Sequence, residues 1–233
     1  MPSQIRAYPA TGAANRQTLD TFDIMTTLDI ADINRQLREA SAEEIIAWAL
    51  SLQQRTMVTT SFGKNASLLL DMVTALAPDT PVVWIDTGYN LRDTYVVAER
   101  IIRDMALNMH VYSPKMTSER RNAIMGGIPT IEDEALHSEF TRQVKLEPFQ
   151  RAIDDLQPQV WLTGIRQDET DHRRALDIVS EDARGILKVA PLFYWHEDHI
   201  EAAMAERDLP SCRHYFDPTK VSDGRECGLH TSA

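Results

Sequence analysis

Short β-branched segments alternate with helical segments through the middle of the chain, and this alternation limits the fold more than any other feature. Residues 56–60, 81–86, 107–112 and 159–163 are typical of strands. Helical spacing separates or follows them at residues 66–77, 91–105 and 149–156. Strands that alternate with helices of this length form βαβ units. The sequence therefore predicts an α/β fold, a mostly parallel sheet with helices on both faces.

Outside these strand–helix units, the sequence pattern is less regular. Residues 31–52 indicate two helices that meet near Ala40, and the second begins with a capping-box pattern, Ser41 to Glu44. We expect a loop and one helix within residues 113–148, short strands at 176–179 and 186–189, and a last helix at 196–207. The chain is accordingly divided into an N-terminal extension (1–27), a main domain (28–208) and a C-terminal tail (209–233).

Charge and cysteine content exclude several classes of protein. The formal net charge of the 233-residue chain is −11, so sequence-independent binding to nucleic acid is not expected. Apolar runs are far shorter than the ~20 residues of a membrane span. Two cysteines, Cys212 and Cys227, build neither a disulfide framework nor a four-thiolate iron–sulfur site. With no signal peptide evident, we expect a cytoplasmic protein.

A polar loop, Ser61-Phe62-Gly63-Lys64, follows the first predicted strand. Gly63 allows the backbone to approach a ligand closely, Ser61 and Ser67 supply hydroxyl groups, and Lys64 supplies a mobile cation. Unpaired N–H groups at the start of the following helix favour an anion. The loop predicts a phosphate or sulfate site, with an ordinary serine-capped turn as the alternative. Its spacing is not that of a Walker loop.

A second polar turn, Asp86-Thr87-Gly88, lies at the carboxyl end of the next predicted strand. Ligands of open α/β sheets bind at such strand ends. We expect this turn to contact a ribose or an adenine, with a plain turn as the alternative.

Basic residues collect after the fourth predicted strand. Arginine guanidinium groups bind phosphate oxygens through two N–H groups at once. Acidic residues lie between these arginines, so a charge-paired surface loop is the alternative. The residues expected there are Gly164, Arg166, Arg173 and Arg174, and we expect Lys145 and Arg151, which precede the strand and flank Glu147-Pro148, to add to the same basic pocket.

Cys227 lies close to the C-terminus, between Arg225 and His230. Neighbouring cations favour the reactive thiolate, and a terminal segment can carry a thiol into a site and out again. The alternative is an incidental exposed thiol. No metal site is expected, because His196 with His199 fits a solvated helix start and Cys212 lacks partner ligands.

Six segments resemble, in their order along the chain, the thioredoxin-dependent phosphoadenylyl-sulfate (PAPS) reductase family. They are residues 59–63 (TTSFG), 86–89 (DTGY) with 94–95 (TY), 145–148 (KLEP) with Arg151, 161–166 (WLTGIR) with Arg173, 187–192 (LKVAPL) with Trp195, and 226–230 (ECGLH). The resemblance covers about residues 55–233. It implies an adenine-nucleotide α-hydrolase-like (PP-loop) fold, a homodimer and a cytoplasmic enzyme of sulfate assimilation and cysteine biosynthesis.

The implied reaction converts PAPS to sulfite and adenosine 3′,5′-bisphosphate, with reduced thioredoxin or glutaredoxin as electron donor and no bound cofactor or metal. By resemblance, Cys227 is the nucleophile on a mobile catalytic tail, and His230 favours its thiolate or covers the closed site. Arg166, Arg173 and Lys145 would bind the phosphosulfate and the 3′-phosphate, and residues 86–88 the nucleoside.

Some residues depart from the family pattern and keep alternatives open. Residues 64–67 (KNAS) are more similar to the loop of ATP pyrophosphatases, so an ATP-using PP-loop enzyme is one alternative. Residues 142–144 (RQV) stand where cluster-bearing adenylyl-sulfate reductases have a cysteine pair. A cluster-free adenylyl-sulfate reductase is a second alternative, and a nucleotide-binding regulatory module a third.

Overall fold

The computed structural model describes residues 28–220 and Leu229. The N-terminal extension, residues 1–27, therefore lies outside the described residues, as do Cys227 and His230. Within the described part of the chain, no helix has the length and apolar character needed to cross a membrane.

Two helices precede the sheet, as the sequence predicts. Helix α1 spans Ile30–Leu37 and α2 spans Ala42–Ser51. The Glu44 backbone N–H donates to Ser41 Oγ at 3.2 Å, and the Ser41 N–H donates to Glu44 Oε2 at 2.7 Å. This reciprocal pair is the predicted capping box, and it starts α2 just after Ala40.

The alternation of strands and helices is confirmed. The elements that follow α2 are β1 Thr56–Thr60, α3 Ala66–Leu76, β2 Val82–Ile85, α4 Arg92–Asp104, β3 Met109–Tyr112, α5 Ser118–Met125, α6 Glu134–Thr141, a π-helical turn Arg142–Leu146, α7 Glu147–Leu156, β4 Val160–Leu162, two 3₁₀ turns Gln167–Glu169 and Arg173–Ala175, β5 Val179–Glu181, β6 Leu187–Val189 and α8 Glu197–Glu206.

The strands form one six-stranded sheet in the order β3-β2-β1-β4-β6-β5. All neighbours are parallel except β5 and β6. In the centre, Val58 pairs with Val82 on one side and with Leu162 on the other. Every residue of β2 and β4 is buried, which is typical of strands covered on both faces.

Helices cover both faces of this sheet. Ile45 of α2, Leu69 of α3 and Ile200 of α8 belong to one apolar cluster. Phe149 of α7 belongs to a second cluster, with Trp161 of β4. The predicted mostly parallel α/β sheet with two covered faces is thus confirmed.

Two local predictions are wrong. Residues 113–148 contain two helices and a π-helical turn rather than one helix. Gly126, with φ +77°, ends α5, and the Asp133 side chain caps α6 by accepting from the Leu136 N–H at 3.0 Å. The strand expected at 176–179 begins instead at Val179, where pairing with β6 starts.

Residues 209–220 pack against the sheet domain. Ser67 Oγ donates to the Pro210 carbonyl at 2.7 Å, and Ser211 Oγ donates to the Lys64 carbonyl at 2.9 Å. Cys212 is buried, with its Sγ 3.4 Å from Thr94 Oγ1. These contacts bring the start of the C-terminal segment beside the loop that follows β1.

Candidate active site

A cavity of about 420 Å³ opens at the carboxyl edge of the parallel sheet. It lies between the neighbouring strands β1 and β4. The strand that follows β1 in the sheet order is β2 on one side, and the strand that follows β4 is β6 on the other side. Loops diverge at such a switch point, and ligands of open α/β folds bind there. The loops after β1, β2 and β4 line the cavity, together with α8 and the segment 215–220.

Eight of the predicted site residues line this cavity. They are Ser61, Gly63, Lys64, Thr87, Lys145, Gly164, Arg166 and Arg173. The fold thus brings together the polar loop after β1 and most of the expected basic pocket.

Four predicted residues near the loops lie outside the cavity lining. Phe62 is fully buried, its ring 4.9 Å from that of Trp84, so it packs in the core. Ser67 is bonded to the C-terminal segment, as described above. Asp86 Oδ1 accepts from the Gly88 N–H at 3.1 Å and from Tyr95 Oη at 2.8 Å. Asp86 and Gly88 therefore shape the turn after β2.

The Asp86 contact affects Tyr95. Burial, together with the hydrogen bond to the Asp86 carboxylate, raises the pKa of Tyr95 to about 12. The phenol therefore stays protonated and donates to Asp86 over the whole physiological range.

Two predicted arginines also lie outside the lining. Arg151 pairs with Glu147, Nε to Oε1 at 3.1 Å, and donates to the Ser113 carbonyl. Arg174 is exposed and pairs with Asp171 at 2.7 Å, the charge-paired alternative considered above.

Arg166 comes from the loop after β4 and is well buried, with 11% of its side chain exposed. Its Nη2 donates to Glu197 Oε2 at 2.8 Å and lies 3.8 Å from Glu169 Oε1. Its buried Nη1 has no hydrogen-bond partner among the described residues. The guanidinium is therefore fixed on one side and retains donors on the other.

Arg173 is also buried in the cavity wall. It forms an ion pair with Glu169 through Nη1, and its backbone N–H donates to Thr170 Oγ1 at 3.3 Å. The two 3₁₀ turns after β4 thus hold Arg166 and Arg173 on either side of the Glu169 carboxylate.

Lys64 and Asn65 contact α8. Lys64 Nζ donates to Glu197 Oε1 and to Glu201 Oε1, both at 2.7 Å, and Asn65 Nδ2 donates to Glu197 Oε2 at 3.0 Å. Burial raises the pKa of Glu197, but Lys64 and Arg166 outweigh it, so the pKa lies below the ordinary value. Glu197 is therefore a carboxylate near neutral pH.

The sequence did not point to several cavity residues. Five basic and three acidic side chains line the cavity, and the acidic ones are Glu169, Glu197 and Asp217. The sequence places Glu169 in a charge-paired surface loop and Glu197 at a solvated helix start, and it carries no signal for Asp217.

Leu229 is the described residue nearest to the C-terminus, and it lines the cavity. It also packs against the apolar cluster that includes Met57, Val83 and Phe149. The last part of the chain therefore returns to the cavity at this residue.

The cavity is suited to hold a ligand with several negative charges. Its basic side chains outnumber its acidic ones although the whole chain is strongly acidic. Among the described residues, no cluster of three or more His, Cys, Asp or Glu side chains could hold a metal ion. Cys212 does not line the cavity.

Comparison with known proteins gives a consistent result. Residues 55–218 match the family described as the phosphoadenosine phosphosulfate reductase domain. The phosphoadenosine 5′-phosphosulfate reductase of Synechocystis sp. is 35% identical over 202 residues, which are 86% of this chain and 80% of that protein. The reductase of the same name from Aliivibrio salmonicida is 33% identical over 184 residues, 78% of this chain and 72% of that protein.

Solved structures show the same architecture. A phosphate complex of the PAPS reductase from Candida auris has a TM-score of 0.68 and 26% identity, covering 78% of this chain and 87% of that one. The FMN adenylyltransferase of Candida glabrata, in complex with ATP, has a TM-score of 0.52 and 15% identity, covering 82% of this chain and 63% of that one. The second likeness concerns the fold alone.

Proposed function

This chain belongs to the phosphoadenosine phosphosulfate reductase family, and on that premise we propose that it reduces PAPS to sulfite and adenosine 3′,5′-bisphosphate. The Cys227 thiolate is the proposed nucleophile. Reduced thioredoxin, or glutaredoxin, is the proposed electron donor. We further propose that the enzyme is cytoplasmic and that it forms a homodimer.

The position of Leu229 carries the proposal. Leu229 lines the cavity, and Cys227 precedes it by two residues. Two residues of chain span at most about 7 Å. We therefore propose that the Cys227 thiol reaches a ligand bound in the cavity.

The charges of the cavity support the same reaction. A thiolate attacks an anionic sulfuryl group only if the negative charges are neutralised. Arg166 and Arg173 lie in the cavity wall, and Ser61 and Gly63 belong to the loop that opens α3. We propose that this loop and Arg166 bind the phosphosulfate, that Arg173 binds the 3′-phosphate, and that the turn after β2, through Thr87, contacts the nucleoside.

The proposed chemistry has two stages. The Cys227 thiolate attacks the sulfur of the sulfuryl group, an S–S bond forms, the S–O bond to the phosphate breaks, and adenosine 3′,5′-bisphosphate leaves. A thioredoxin thiolate then attacks Cys227 Sγ and expels sulfite, and the second thioredoxin thiol resolves the mixed disulfide. The two electrons thus come from the thioredoxin dithiol, and Cys227 returns to the thiol.

This sequence of steps needs a segment that moves. We propose that the segment after Lys220 carries Cys227 between the cavity and the electron donor. His230 is proposed to favour the thiolate or to cover the closed site.

A parallel assay of three substrates tests the function. Sulfite release is measured with PAPS and with adenylyl sulfate in the presence of reduced thioredoxin, and pyrophosphate release is measured with ATP. We expect sulfite from PAPS at the highest kcat/KM and no pyrophosphate from ATP. A preference for adenylyl sulfate would indicate a cluster-free reductase of that substrate, and pyrophosphate release would indicate an ATP-using enzyme.

The two cysteines provide a matched pair of variants. Cys227→Ser is expected to abolish sulfite release and to keep nucleotide binding. Cys212→Ser is expected to keep both, because Cys212 is buried beside Thr94 and does not line the cavity. Nucleotide binding without sulfite release in the wild type would indicate a regulatory module instead.

A further inference from the structure

Glu197 connects two loops of the cavity. It is the first residue of α8, and its carboxylate accepts from Lys64 and Asn65, after β1, and from Arg166, after β4. Its neighbour one turn along the helix, Glu201, contacts Lys64 alone among these three. One carboxylate therefore joins the loop that opens α3 to the arginine that follows β4.

This carboxylate fixes the orientation of Arg166. The contact to Glu197 uses Nη2, at 2.8 Å, and leaves the buried Nη1 without a partner among the described residues. A buried donor without a partner costs free energy, which an anionic ligand would recover. Because an arginine side chain has several rotatable bonds, holding one edge of its guanidinium reduces the entropy lost when the other edge binds a ligand.

Lys64, unlike Arg166, is held by contacts to the protein at both its side chain and its backbone. Its ammonium lies between two carboxylates of α8 at 2.7 Å each, and the Ser211 hydroxyl donates to its backbone carbonyl. A lysine in a loop of this kind would ordinarily be a candidate phosphate ligand. Here both of its ends are engaged by other parts of the chain.

We propose that Glu197 is a positioning residue for the anionic ligand: it orients Arg166 towards the ligand and anchors Lys64 and Asn65 to α8. This inference rests on the proposed function and extends it. It also accounts for the unusual Lys64-Asn65 pair in the loop, because these residues then attach the loop to α8.

Calorimetric titration of the full chain tests the proposal, with adenosine 3′,5′-bisphosphate and inorganic phosphate as the two probes. Glu197→Ala is expected to weaken binding of the bisphosphate by about tenfold, because Arg166 loses a charge-assisted hydrogen bond that fixes it. The matched control, Glu201→Ala, removes a carboxylate of the same helix that does not touch Arg166, and we expect a change within about twofold.

A double-mutant cycle separates positioning from a general structural effect. If Glu197 acts mainly through Arg166, Glu197→Ala causes a clearly smaller loss of affinity in an Arg166→Ala background than in the wild type. Glu197→Gln retains an acceptor oxygen and is expected to recover part of the affinity. In steady-state assays, the loss in Glu197→Ala is expected in KM more than in kcat.

Three results would overturn the proposal. The first is tighter binding in Glu197→Ala, which would mean that the carboxylate merely repels the ligand. The second is an equal loss in Glu201→Ala, and the third is a full additional loss in the Arg166→Ala background. If the wild type binds neither probe, both the proposed function and this inference fail, whereas binding without sulfite release overturns the function alone.

Discussion

Lys145 and Asp217 form an ion pair inside the cavity wall, with only 8% and 5% of their side chains exposed. The other Asp217 oxygen accepts from the Thr219 N–H at 3.0 Å and from Thr219 Oγ1 at 2.7 Å. Lys145 belongs to the π-helical turn Arg142–Leu146. The ion pair therefore fastens the segment that leads towards the C-terminus to the turn between α6 and α7, and Lys145 contacts a carboxylate of the chain itself.

Asp217→Asn is expected to lower the free energy of unfolding by about 3 kcal/mol, because it removes the carboxylate charge that pairs with the buried Lys145 ammonium. Urea denaturation measures the change. The control is Asp171→Asn, in an ion pair whose aspartate side chain is 91% exposed, for which we expect less than about 1 kcal/mol. Equal small losses in both variants would contradict the importance of the buried pair.

The same ion pair predicts how stability changes in acid. Burial raises the pKa of Asp217, but Lys145 and Thr219 outweigh burial and hold the pKa below its ordinary value. The stabilising contribution is therefore complete above the ordinary carboxyl range and is lost as the pH falls through the lowered pKa. The difference in unfolding free energy between wild type and Asp217→Asn should be constant at mildly acidic and neutral pH and should shrink in stronger acid. A difference that grows on acidification would show that the pKa of Asp217 is raised in the folded protein and not lowered.

Arg173→Ala is expected to weaken binding of adenosine 3′,5′-bisphosphate by about tenfold more than binding of adenosine 5′-monophosphate, because a buried guanidinium binds phosphate strongly. Competition titrations with both nucleotides measure this ratio. Arg174→Ala is the control, since Arg174 is exposed and lies outside the cavity lining. Equal losses for the two nucleotides in Arg173→Ala would mean that Arg173 does not contact the 3′-phosphate.

Gly88→Ala is expected to destabilise the protein by about 1 kcal/mol, because Gly88 has φ +76°, which an L side chain rarely adopts. Thermal denaturation measures the loss. Gly164→Ala is the comparison, because the added Cβ meets Leu69 at an ordinary 3.7 Å and no left-handed φ is involved. A smaller loss at Gly88 than at Gly164 would contradict the argument.

The sheet could be predicted from the sequence because its signals are local. Buried parallel strands have continuous apolar runs, as in Val82–Ile85, and the capping box of Ser41 and Glu44 lies within four residues. The sequence predicts only one helix within residues 113–148, although Gly126 marks the end of the first helix and Asp133 the start of the second.

The carboxylates of the cavity could not be predicted in the same way. Lys64 and Glu197 lie 133 positions apart, and Lys145 and Asp217 lie 72 apart. Such pairs depend on the relative placement of distant loops, which neither periodicity nor composition encodes. The basic residues were identified, but not the acidic partners that orient them.

The most direct test of the central claim is the mass of the C-terminal peptide after incubation of the wild type with PAPS in the absence of thioredoxin. We expect the peptide that contains Cys227 to gain the mass of one SO₃ group and to lose it, with sulfite release, when reduced thioredoxin is added. Cys212→Ser should show the same adduct, and Cys227→Ser should show none. Sulfite formation by the wild type with no adduct on Cys227, or full turnover by Cys227→Ser, would contradict the proposed covalent reaction.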